Sequence, residues 1–186
     1  MHPFAATTLA LLLALPGMSR VALARDEAPA RVARLLETQG AVSLAPADGE
    51  SWDAAERNRP VVYGDRLETA PGGRAALEFD TGIAFLDHSS ALVWQGDDAR
   101  TALTLDYGTV RVDVHTAGAD VALAAPELTF APEQPGSYRL DVDPARGETV
   151  VTLYAGAGTV YGRGGGRRSL SAAQAYRFAA GGLDYT

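Results

Sequence analysis

Short apolar and polar stretches alternate between Tyr63 and Val112, and turn-forming residues separate them. The separators are Gly-Asp, Pro-Gly-Gly, Thr-Gly and Gly-Asp-Asp. Alternation with a period of two between such separators is typical of strands that bury one face. This part of the chain therefore predicts an all-β domain, and it holds no cluster of residues of the kind that an enzyme needs.

The same pattern extends to both sides of this stretch. It is clearest at Val110, Val112 and Val114, whose polar neighbours Arg111 and Asp113 should face water. Strands are predicted over residues 32–38, 41–45, 66–69, 74–79, 83–87, 91–94, 102–107, 109–115, 121–124, 128–131, 137–142, 149–154, 159–161 and 175–178.

Two segments depart from simple alternation. Apolar residues occupy both faces of residues 150–154, which predicts a central strand that is covered on both sides. Residues 53–58 are the one stretch that could be helical, and they are too short to change the fold class. The sequence thus predicts an all-β fold, built as an irregular β-roll or a two-layer sandwich of short, mainly antiparallel strands.

The N-terminus has the features of a secretory leader. An apolar run from Phe4 to Leu15 precedes Pro16 and Gly17, and Ala22-Leu23-Ala24 offers small residues for signal peptidase. The run is about half of the roughly 20 residues that a membrane span requires. We therefore predict a signal peptide over residues 1–24, a flexible lead over 25–30, and a periplasmic or secreted protein of a Gram-negative bacterium without a transmembrane segment after cleavage.

Composition narrows the function classes. The chain has no cysteine, which excludes disulfides, a thiol nucleophile, thiolate metal sites and a lipoprotein anchor. Cleavage after Ala24 would leave 15 basic and 23 acidic side chains, a net charge of −8. A chain this acidic, with scattered arginines, is not expected to bind nucleic acid or anionic membrane surfaces.

A change in composition near residues 124–126 suggests two halves that share a sheet. We expect a first β-domain over residues 31–124, a continuing β-module packed on it over 125–180, and a tail over 181–186. Gly40, Gly108 and Gly158 each precede a Val-containing strand and are expected to take positive φ at tight corners. Their unequal spacing does not support a solenoid of fixed period.

The segment that begins Gly64-Asp65-Arg66-Leu67-Glu68-Thr69 continues through residues 74–79, 82–86 and Ser90 to Tyr107-Gly108-Thr109-Val110. This succession resembles the core of a FecR-type domain, and the likeness covers roughly residues 40–124. It implies a periplasmic, all-β, non-enzymatic protein that relays signals by protein contacts. Sigma regulators of that family carry a cytoplasmic helical segment and a transmembrane helix first. We therefore expect a free-standing exported form, and direct control of a sigma factor is in doubt.

Two groups of residues are candidates for a catalytic or metal site. Residues 141–152 superficially resemble a calcium loop, but the positions that calcium needs hold Ala145, Arg146 and Thr152, so a hairpin turn is expected instead. His88 lies beside Ser89 and Ser90, yet neighbours on a strand point to opposite faces, so turn capping is expected instead of hydrolysis.

Recurrent aspartates could form a cation ladder at stacked corners, although aspartates at strand ends more often cap turns. They are Asp80, Asp87, Asp97, Asp98, Asp106 and Asp113. No metal, cofactor or catalytic residue is predicted, and the chain is not expected to be an enzyme.

Two surfaces remain as candidate binding sites. Arg163, Arg167 and Arg168 lie in a glycine-rich loop where an acidic partner could dock. Trp52 and Trp94 could stack on sugars, although the position of Trp94 on its strand favours the core. The sequence thus predicts a protein-binding module that contacts another envelope protein, in signalling or assembly. The alternative is an envelope protein that binds glycan or peptidoglycan.

Overall fold

The computed structural model describes residues 32–49, 51–97, 100–179 and Leu183. The predicted signal peptide and flexible lead lie outside the described residues, as does the predicted tail apart from Leu183. All helical and strand elements assigned within the described residues are β-strands. No helix in this part of the chain has the length and apolar character needed to cross a membrane.

Sixteen strands follow one another along the described chain. They are β1 (Ala33–Gln39), β2 (Val42–Ala45), β3 (Asp53–Ala54), β4 (Pro60–Val61), β5 (Arg66–Thr69), β6 (Arg74–Phe79), β7 (Gly82–Leu86), β8 (Ser90–Gly96), β9 (Thr101–Val114), β10 (Val121–Ala124), β11 (Leu128–Pro132), β12 (Gly136–Asp143), β13 (Glu148–Ala155), β14 (Ala157–Gly162), β15 (Arg167–Ser171) and β16 (Gln174–Ala179).

The strands form two layers that share β9. Layer A has the order β4-β1-β6-β7-β9-β12-β13-β16, and layer B has the order β3-β2-β5-β8-β9-β10-β11-β14-β15. Residues 101–107 of β9 pair with β8 and β10 in layer B, whereas residues 108–114 pair with β7 and β12 in layer A. All described pairings are antiparallel except β9 with β10. The predicted all-β fold of short, mainly antiparallel strands is confirmed.

The hydrophobic core lies between the two layers. Phe79 of layer A contacts Trp94 of layer B, with ring centroids 5.5 Å apart. Phe130 of layer B contacts Tyr138 of layer A at 5.3 Å in the same way. Residues from both sides of residue 124 contribute to this core, and β9, which precedes residue 124, pairs with β12, which follows it.

The passage of β9 between layers depends on a bend at Gly108. This residue has φ +88°. The Oγ of Ser90 accepts a hydrogen bond from the Thr109 backbone N–H at 2.8 Å and lies 3.0 Å from the His88 carbonyl, to which it can donate. One side chain thus holds the bend of β9 against the start of β8.

Residues 53–58, the one stretch that could be helical, do not form a helix. Ala54 pairs with Ser43 of β2, and the Ala55 N–H donates to the Val42 carbonyl at 2.9 Å. The chain then turns, and the N–H of Asn58 donates to the carbonyl of Leu35 at 2.7 Å. This backbone bonds to β2 and β1, whereas a single helical turn would leave most of its N–H and C=O groups without partners.

The prediction that residues 150–154 form a doubly covered central strand is wrong. Strand β13 lies one place from the end of layer A, where its neighbour β16 is the edge. Val151 and Leu153 are buried between the layers, but Val150 is half-buried and Tyr154 is 54% exposed. Apolar residues on both faces here indicate an exposed aromatic surface instead of a second covering layer.

Candidate functional site

The outer face of layer A carries a cleft with a volume of about 400 Å³. Strands β1, β6, β7, β9, β12 and β13 all contribute to it. We call it the arginine–aromatic cleft, after the side chains that give it its chemical character. Those side chains are Arg74, Phe85, Arg111, Arg139 and Tyr154, with Glu37 on the β1 side.

The strand register explains why these side chains meet. Ala76 is paired with Phe85, Phe85 with Arg111, and Arg111 with Arg139, so four residues form one row across four neighbouring strands. Side chains in such a row point to the same face of a sheet. The small Ala76 beside larger residues leaves a depression, which becomes part of the cleft floor.

Arg111 lies over an aromatic ring in the cleft. Its Cζ is 4.5 Å from the centroid of the Phe85 ring, within the range of a cation–π contact. Its Nη2 also donates to Oδ2 of Asp113 at 3.3 Å, a long hydrogen bond. The guanidinium is therefore fixed in orientation by the ring, while its charge is only weakly matched by a carboxylate.

Arg139 is held more firmly. Its Nε donates to Oδ2 of Asp141 at 2.8 Å, and its Nη2 donates to Oδ1 at 2.6 Å. Asp141 also accepts a hydrogen bond from Oγ1 of Thr109 at 2.6 Å. The hydrogen bonds to Asp141 raise the pKa of Arg139, and Tyr154 adds to this effect. The bidentate pair presents Arg139 in one orientation beside Tyr154.

A third arginine closes the cleft at the β6–β7 end. The Nε of Arg74 donates to Oδ1 of Asp87 at 2.9 Å, and the backbone N–H of His88 donates to the same oxygen at 2.9 Å. Nδ1 of His88 lies 3.0 Å from it. Partial burial works to raise the pKa of Asp87, but the hydrogen bonds from His88 and Arg74 outweigh this and lower the pKa to about 2.

Acidification is expected to remove the stabilisation that Asp87 provides. Because its pKa falls from 3.8 to about 2 on folding, the contribution is complete above about pH 4 and is lost as the pH falls towards 2. After allowance for solvent screening, we expect the ionised Asp87 to contribute about 1 kcal/mol to the free energy of unfolding. Urea unfolding should show Asp87→Asn less stable than the parent at pH 6, with a clearly smaller difference at pH 2. Equal differences at both pH values would contradict this assignment.

The three arginines proposed from sequence do not share one face. Arg163 lies in the loop between β14 and β15, as expected for a hairpin loop. Arg167 is paired with Tyr161 and Arg168 with Val160, so these two adjacent side chains leave opposite faces of β15. Nη1 of Arg168 donates to the backbone carbonyl of Leu183 at 3.2 Å. All three are exposed, but they do not form a single patch.

The two tryptophans proposed for glycan binding differ completely in environment. Trp94 is 1% exposed and packs between Tyr63 and Phe79, with ring centroids 5.7 and 5.5 Å away. Its proposed role in sugar stacking is therefore wrong, and the prediction of a core position is confirmed. Trp52 is 42% exposed, with the guanidinium of Arg66 5.9 Å from its ring centroid.

The other candidate groups have structural roles. Residues 141–152 form the β12–β13 hairpin that was expected in place of a calcium loop. Oγ of Ser90 contacts the backbone carbonyl of His88 and the backbone N–H of Thr109, not the His88 ring. Asp98 lies outside the described residues. Within the described chain, no group of three or more histidine or acidic side chains could hold a metal ion.

Comparison with known proteins identifies a related fold and no family. No protein family model matches the chain, and no curated protein matches it. Two crystal structures of a "putative anti-sigma factor" from Parabacteroides distasonis are similar, with TM-scores of 0.55 and 0.54 and 8% identity. The match covers 65% of this chain and 57% of those structures, so it spans little more than half their length. At this identity the likeness concerns the fold alone.

Proposed function

We propose that this chain is a non-enzymatic, exported protein-binding module of the bacterial envelope, with a role in signalling or assembly, and that its partner docks on the arginine–aromatic cleft. The observation that carries the proposal is the cleft itself. It is a concave, exposed site on a sheet, and it presents the residue types that dominate binding energy at protein interfaces, namely Arg and Tyr, next to Phe.

One sequence prediction and two structural observations support this function. The leader predicted at residues 1–24 would export the chain. The polar groups with the best prospects for catalysis, Ser90 and His88, are engaged in holding a turn and a β-strand bend. Finally, the fold is similar to that of a protein described as a "putative anti-sigma factor".

Photo-crosslinking in intact cells tests the function and the location of the site together. Replacing Tyr154 with p-benzoylphenylalanine should give a light-dependent adduct in the periplasmic fraction, identified by mass spectrometry as a bound protein. Tyr161 is the matched control, since it is also an exposed tyrosine but lies on the outer face of layer B. The same substitution there is expected to give no adduct.

Three results would count against the proposal. An adduct from position 161 alone would move the docking face to layer B. The absence of a protein adduct from Tyr154, Tyr161 and Trp52 would refute the protein-binding function. Recovery of the chain from the cytoplasm with its N-terminus intact would refute export.

A further inference from the structure

We propose that the arginine–aromatic cleft recognises an acidic segment of a partner protein. A carboxylate of that segment is held between Arg111 and Arg139, and an apolar side chain next to it packs on Tyr154. This inference rests on the proposed protein-binding function and names the chemistry of the partner.

The first argument is the placement of two like charges. Arg111 and Arg139 are directly paired on neighbouring antiparallel strands. Side chains in such pairs start about 5 Å apart, and two cations there repel each other. Both guanidinium groups lie on the exposed face, where Arg111 is 46% and Arg139 38% exposed. Asp113 and Asp141 each contact one of these arginines, and a carboxylate placed between the two guanidinium groups would contact both of them.

The second argument is the supply of hydrogen-bond donors. Each guanidinium has five N–H donors in a planar fork that matches a carboxylate. Arg111 uses one of them, in the long contact to Asp113, and Arg74 uses its Nε for Asp87. Arg139 uses its Nε and Nη2 for Asp141, and Asp87 already accepts from Arg74 and His88. The cleft therefore offers more donors than the acceptors along its wall can use.

The third argument separates an acidic protein segment from a sugar. Sugars stack on open aromatic faces, but the guanidinium of Arg111 covers one face of the Phe85 ring at 4.5 Å. That guanidinium can still donate to a carboxylate while it rests on the ring. The apolar Ala76 in the floor and Tyr154 at the rim suit an aliphatic or aromatic side chain next to the acid.

Selection of peptides from a random twelve-residue phage library against the folded protein tests this inference. The enriched sequences should place Asp or Glu beside an aliphatic or aromatic residue. Synthetic versions should bind at least tenfold more weakly to Arg111→Gln and Arg139→Gln. Arg111→Lys should recover only part of the loss, because it keeps the charge without the fork.

Arg177→Gln provides the matched control. Arg177 lies on the same outer face, paired with Val150, and forms an ion pair with Glu148 outside the cleft. Its replacement should change affinity less than twofold. Circular dichroism of each variant should show the parent spectrum, so that weaker binding reports the site and not unfolding.

Several outcomes would overturn the inference. Enrichment of peptides without acidic residues would show that the cleft does not recognise a carboxylate. Equal binding by peptides with Gln in place of Glu and Asn in place of Asp would show the same. If oligogalacturonate displaces the peptides at a lower concentration than free peptide does, the ligand is an acidic polysaccharide and not a protein segment. If Tyr154 crosslinks a protein and Arg111→Gln leaves the yield unchanged, acid recognition fails and the protein-binding function stands. No enrichment combined with no adduct would refute both.

Discussion

Gly108→Ala is expected to cost the protein about 3–5 kcal/mol of its free energy of unfolding. Gly108 has φ +88°, which an alanine adopts only at a cost. An added Cβ would also lie 2.2 Å from Oγ of Ser90 and 2.6 Å from the carbonyl oxygen of Ser89. Relief of that clash would break the hydrogen bonds that hold the bend of β9. Urea unfolding followed by circular dichroism measures the loss.

Gly165→Ala is the matched control for this prediction. Gly165 has a similar φ of +81°, but no atom lies within 4 Å of the position that a Cβ would occupy. The alanine there should cost about 1 kcal/mol, from backbone strain alone. If both variants lose the same stability, the close approach of β8 and β9 is not what makes Gly108 indispensable.

This bend marks the limit of what the strand pattern can predict. The alternation around Val110 and Val112 correctly predicts which residues are buried. It predicts two strands, 102–107 and 109–115, where the structure has one strand that bends at Gly108 and changes layers. Local alternation reports which face is buried. It does not report which distant strand supplies the partner, because pairing depends on contacts far apart in the sequence.

The three glycines that precede Val-containing strands show the same limit. Gly40 and Gly108 have the positive φ predicted for them, but Gly158 does not, and Gly156 two residues earlier has φ +88°. The reason for glycine at position 158 is space, because an added Cβ would lie 2.5 Å from the carbonyl oxygen of Ala131. Similar sequence around a glycine therefore does not imply the same physical reason for it.

The candidate site was harder to predict than the fold. The sequence favours the arginines that lie close together along the chain, at positions 163, 167 and 168. In the structure their side chains point in different directions. Arg111 and Arg139 are 28 positions apart and meet because β9 pairs with β12. One signal was available, since the outward Tyr154 appears in the sequence as an apolar residue on the wrong face of its strand. The pattern alone favours a buried position, because apolar residues on both faces are typical of a covered strand.

Trp94→Ala is expected to destabilise the protein by about 3–5 kcal/mol, the second of the two largest effects. The side chain is 1% exposed and links the layers through its contact with Phe79, so its removal leaves a cavity that the neighbouring rings cannot fill. Trp52→Ala is the control, because Trp52 is 42% exposed and its replacement should change stability by no more than about 0.5 kcal/mol. Urea unfolding of the two variants measures both. A small loss of stability for Trp94→Ala would mean that the layers do not depend on this ring. A large loss of stability for Trp52→Ala would give the exposed tryptophan a structural role and reduce its availability for sugars.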